Sequence, residues 1–149
     1  MSPLNVETNA AEELTRAGAC LDEAKILRAA NFPYGAASRA YYAVFHAARA
    51  LLFSIGIETK TLVEHLGLRN ACGVLRPKPH QGTVGLLSEH FVKTGHLSPE
   101  MARLISRMQR DREDADYMTG AVFTDDEARE LIADAERFLV HAKQVLQAG

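Results

Sequence analysis

The stretch from Pro33 to Gly56 constrains this chain more than any other. It is rich in alanine, bounded by a proline and a glycine, and carries its apolar side chains at helical rather than alternating spacing. The spacing predicts a helix from about Tyr34 to Phe53, stopped by Gly56. On a wheel turning about 100° per residue, Ala40, Val44, Ala47, Ala48, Leu51 and Ile55 form the core face. Arg39, Tyr42, His46 and Arg49 fall within about 80° of one another on the opposite side.

Helical signals continue on both sides of this segment. Asn9 followed by Glu12 reads as a capping box, and Leu14, Ala17, Leu21, Ala24 and Arg28 keep helical spacing after it. That first helix is expected to end near Asn31-Phe32-Pro33, because a proline disfavours helical geometry in the residue before it. Ser98-Pro99 pairs an N-cap serine with a proline at the first helical position and opens a helix reaching about Tyr117, broken by Gly120. Thr124-Asp125-Asp126-Glu127 is a second capping box, its acids favoured by the helix dipole. Ala128, Leu131, Ile132, Ala135, Phe138, Leu139, Ala142 and Leu146 then make one apolar stripe. Gly82 to Thr94 predicts a short helix through Val84, Leu86, Leu87 and Phe91, and Arg76-Pro77-Lys78-Pro79 breaks regular structure before it. Residues 61–75 read as a short helix or an ordered loop. No alternating β pattern and no internal repeat appears, so the expected fold is an all-α bundle.

At 149 residues, with 47% hydrophobic and 24% charged side chains, the chain has the composition of one globular domain with a sizeable core. Cys20 and Cys72 are too few for a disulfide scaffold and fit a reducing setting as free thiols. No apolar run approaches the roughly 20 residues of a membrane span, and the start lacks a signal-peptide pattern. A soluble, cytoplasmic protein is therefore expected. The net charge of −2 hides a gradient. Residues 1–57 balance, residues 58–97 and 98–112 each carry +2, and residues 113–149 carry −6. Either the final helix is simply a solvated acidic face, or the basic middle meets an anionic partner.

Two groups of polar residues stand out. The Arg39, Tyr42, His46, Arg49 stripe is either a half-buried surface strip or a set of cation, phenol and imidazole able to hold an anionic ligand. On the helix opened by Ser98, Met101, Ile105 and Met108 share a side with Arg112 and Asp116, so a charged pair continues an apolar face. Arg39 is the natural cross-helix partner for Asp116. The pair is then either a structural buried ion pair or the rim of a polar cleft between the two helices. His65, His80, His90 and His96 match no helical metal spacing, and there is no phosphate-cradling glycine loop or paired-cysteine zinc pattern. No metal or cofactor is expected.

The segment from Ser38 to Leu52, SRAYYAVFHAARALL, resembles the second helix of HEPN-domain proteins, specifically their small stand-alone prokaryotic branch. Two further segments agree in order: Pro79-His80-Gln81-Gly82 with Glu89 to Gly95, and Arg112-Glu113-Asp114-Ala115-Asp116-Tyr117. The resemblance covers roughly Leu14 to Val145. It implies an up-and-down bundle of four or five helices that forms homodimers through the helices carrying the polar motifs. It also implies a minimal nucleotidyltransferase partner, in pairs that behave as toxin–antitoxin systems. Active members of the family are metal-independent endoribonucleases, with an arginine, four to six intervening residues and then a histidine on the late helix.

This sequence departs from that signature. Tyr117, Met118 and Thr119 follow Arg112 where the histidine is due, and neither Arg107 nor Arg110 supplies an alternative register. Relatives also pass almost directly from the Gly56 turn to the His-x-Gly segment, whereas this chain carries an apparent insert at about residues 61–78. The resulting expectation is a polar dimer cleft of Arg39, Tyr42, Arg112, Asp116, Tyr117 and His80 that binds nucleotide or RNA, or docks the nucleotidyltransferase. The implied partner modifies a tyrosine in some pairs, and Tyr117 is the candidate here. The alternative is RNA cleavage with His46 as base, Arg112 as cation and His80 as acid.

Overall fold

The computed structural model describes the backbone of residues 3–56, 84–117 and 124–148, and the side chains of these except residues 3–8 and 112–117. Every regular element among the described residues is helical. Helix α1 spans Pro3–Ala29, α2 Pro33–Ser54, α3 Pro99–Tyr117 and α4 Asp125–Ala148, with a π-helical turn at Ser88–Val92 between α2 and α3. The expected insert at 61–78, with His65, Cys72 and His80, lies outside the described residues.

Local chemistry sets most of the helix ends. Asn31 takes a φ of 68°, a left-handed geometry that asparagine tolerates, and the Phe32 N–H donates to Leu27 O at 2.8 Å. The chain thus reverses in three residues, and Pro33 opens α2, where its missing N–H costs nothing. Gly56, at φ 81°, closes the other end, its N–H donating to Phe53 O at 3.0 Å. Ser98 Oγ accepts from the Met101 N–H at 3.3 Å, and Thr124 Oγ1 from the Glu127 N–H at 3.1 Å. Both expected N-caps are therefore used.

Two expectations need correction. Asn9 does not cap α1: the helix opens six residues earlier at Pro3, a residue suited to a first helical turn, and Asn9 is interior. Ile55 does not join the core face. It lies past the end of α2 and is 46% exposed, because the chain has already begun to turn towards Gly56. The short helix expected over Gly82–Thr94 is also modified: one α-helical turn at 84–87 widens into the π turn, in which the Lys93 N–H donates to Ser88 O at 3.0 Å.

Helix α2 is the centre of the bundle. It packs along α1 and α4 and also touches α3. Tyr41, Val44, Leu51 and Leu52 of α2 are buried together with Leu87 of the helical turn, Ile105 and Met108 of α3, and Phe138 of α4. Each large apolar side chain sealed in this way contributes roughly 1.5–3 kcal/mol. The apolar stripe expected on the last helix is buried from Ala128 to Ala142. A lateral ion pair adds to this core: Arg107 of α3 reaches Asp134 of α4 at 2.6 Å.

Candidate functional site: the polar seam of the first two helices

Between Ala36 and Phe53 every side chain of α2 is buried except Ser38, Arg39, Tyr42, His46 and Arg49. Among the described residues the polar stripe is thus the open face of α2 between Ala36 and Phe53. Its described partners lie on α1. Arg39 Nη1 stands 3.5 Å from Glu23 Oε2, and Arg49 Nη2 stands 3.7 Å from Glu13 Oε1. Glu13 precedes Glu23 by ten residues and Arg49 follows Arg39 by ten, so the two pairs are in antiparallel register along one seam. Arg39 therefore meets Glu23, while the side chain of Asp116, its partner expected from the sequence, lies outside the description. The α1–α2 reversal is short enough to set the two helices side by side along their length.

Glu13 organises the inner end of the seam. Only 6% exposed, it is the one buried charged residue among those described. His46 Nδ1 lies 2.6 Å from its Oε2. Burial pushes the Glu13 carboxyl up, but the hydrogen bond from His46 and the charges of Arg49, His46 and Arg16 outweigh it and hold the group below its ordinary value. Glu13 is accordingly a carboxylate at neutral pH.

Aromatic rings floor the seam. Tyr41 stacks on Phe45 at 6.4 Å between centroids and meets Tyr42 edge-on at 5.4 Å. The Arg39 guanidinium sits 5.7 Å from the Tyr42 ring, and that of Arg49 sits 5.7 and 5.3 Å from Phe45 and Phe53. Those two rings lie one helical turn either side of Arg49, whose Nε is buried without a hydrogen-bond partner among the described residues. Cys20 is buried on the same side of α1. Burial first, then the Glu23 charge, raises its thiol pKa and keeps it protonated, which makes it a poor nucleophile.

The structure thus brings together His46, Arg39 and Tyr42 of the residues singled out by sequence, with Arg49 beside them. Arg112, Asp116 and Tyr117 lie on the last turns of α3, where side chains are outside the description, and His80 lies outside the described residues altogether. Sequence reasoning missed Glu13. The signal was present: Ala10, Glu13, Ala17, Cys20 and Ala24 share one helical register, and an acid in an otherwise apolar register marks a buried charge with a partner. Among the described residues no group of three or more His, Cys, Asp or Glu side chains is arranged to hold a metal ion. No described helix is long and apolar enough to cross a membrane.

The HEPN domain family matches residues 10–69 and 71–145, a span that takes in the seam and the later helices. The chain belongs to the HEPN domain family. Its relatives include a protein of Methanocaldococcus jannaschii named "Putative toxin", 34% identical over 127 residues, which are 85% of this chain and 81% of that one. A UPF0332 protein of Thermotoga maritima is 28% identical over 132 residues, 89% of this chain and 86% of its own. A second M. jannaschii protein named "Putative toxin" is 26% identical over 133 residues, 89% of this chain and 78% of its own. The all-α bundle is the architecture the HEPN resemblance implied.

Proposed function

We propose that this HEPN protein is the toxin-like member of a two-component stress or defence module in the cytoplasm. It acts as a homodimer with a minimal nucleotidyltransferase partner and recognises nucleotide or RNA at a polar cleft. The names of two relatives support the toxin-like part of this reading. The observation that carries the recognition part is the seam itself. The unburied face of α2 between Ala36 and Phe53 presents, among the described residues, two guanidinium groups, a phenol and an imidazole, over aromatic rings. Guanidinium forks suit phosphate oxygens, and ring faces suit stacked bases. Arg112, Asp116 and Tyr117, at the end of α3, complete the cleft in this reading, with His80 as a further ligand.

Co-expression with the protein encoded by the adjacent open reading frame tests the partnership. The expected result is a small nucleotidyltransferase that is retained when the HEPN chain is captured, and released when Arg39→Ala removes the exposed end of the seam. A neighbour of another class, or one that never associates with the full-length chain, would contradict the reading.

A further inference from the structure

His46 makes one hydrogen bond among the described residues, through Nδ1 to Glu13, and its side chain is 16% exposed. A carboxylate only accepts hydrogen bonds, so Nδ1 carries the proton and, in the neutral imidazole, Nε2 carries the lone pair. The second oxygen of the same carboxylate faces Arg49. One buried acid on α1 therefore orients two neighbouring side chains on α2 that differ in chemistry. One offers a hydrogen-bond acceptor at Nε2, and the other offers only donors.

We propose that Glu13 is the positioning residue of this site, fixing His46 in the Nδ1–H tautomer so that its Nε2 accepts a hydrogen bond from a ribose hydroxyl while the Arg49 guanidinium holds the adjoining phosphate. The inference rests on the nucleotide- or RNA-binding reading for its ligand, and on the Glu13–His46–Arg49 geometry for its mechanism. It also separates ligands by chemistry. A deoxyribose lacks the 2′-hydroxyl that Nε2 would accept, whereas a phosphate without a sugar uses only the arginine. The Arg49 guanidinium is placed by the Phe45 and Phe53 rings as well as by Glu13, so the donor is positioned from two sides.

The test uses the full chain labelled with nitrogen-15, whose histidine spectra report the tautomer directly. Wild type is expected to show His46 protonated at Nδ1, and Glu13→Gln to show a mixture or the opposite tautomer. A merely structural Glu13 would leave the tautomer of Glu13→Gln unchanged. A wild-type His46 protonated at Nε2 overturns the proposal without any variant, and Glu13→Asp serves if the glutamine variant does not fold. Binding of a short single-stranded oligoribonucleotide gives the second readout. Glu13→Gln is expected to lose about tenfold in affinity, and the matching oligodeoxyribonucleotide is expected to bind wild type as weakly as the oligoribonucleotide binds the variant. Equal affinity of wild type and Glu13→Gln overturns the positioning role. If wild type binds neither oligonucleotide, the recognition reading fails, while the tautomer measurement still decides what Glu13 does.

Discussion

Taking a carboxylate out of water costs several kcal/mol unless its partners replace the lost hydration. Glu13 meets that cost through a 2.6 Å contact to His46 and a 3.7 Å contact to Arg49, and the balance holds its pKa below the ordinary value. The sign of the pH dependence follows. A carboxyl that is more acidic in the fold than in the unfolded chain stabilises the fold above its unfolded pKa of about 4.3. That contribution is lost as pH falls through the lower folded value. Glu13→Gln is therefore expected to destabilise the protein by about 1–3 kcal/mol at pH 7, since the amide cannot satisfy both partners. The difference from wild type should shrink towards zero in acid, where wild-type Glu13 is neutral too. Urea unfolding of both proteins at pH 7 and pH 3 measures it, and a difference of equal size at the two pH values would contradict the account.

At the scale of the helices, what was legible in the sequence was what local chemistry decides. Pro33 and Gly56 bound α2, and Ser98-Pro99 and Thr124 open α3 and α4, each through a backbone or side-chain contact that its residue type makes available. Thr124→Ala should consequently cost about 1 kcal/mol, read as a lowered midpoint in thermal or urea unfolding. A variant as stable as wild type would show that the Glu127 N–H finds another acceptor. The features that sequence did not show depend on what lies opposite. Asn9 and Glu12 carry a genuine capping pattern, yet Pro3 starts the helix first. The Arg39–Glu23 pair follows from the antiparallel register of α1 on α2, which the spacing within either helix does not show. The Glu13–His46 contact spans 33 residues of chain, a separation that no local spacing rule reaches.

At the scale of the molecule, the described residues form a bundle whose central helix is buried between Ala36 and Phe53 except along a polar and cationic stripe with aromatic rings beneath it. The −2 net charge gave no hint of this, because the −6 of residues 113–149 hides the +4 of residues 58–112. The HEPN family match supplies the fold, and the named relatives supply the toxin-like reading. Under the proposed function, the seam is where that reading would act on this chain. Growth of a bacterial culture after induction of the chain alone tests it most directly. The account predicts that wild type arrests growth, and that Arg39→Ala, which alters only the 45%-exposed guanidinium at the open end of the seam, lets the culture grow. Uninhibited growth with wild type, or full arrest with Arg39→Ala, would contradict it.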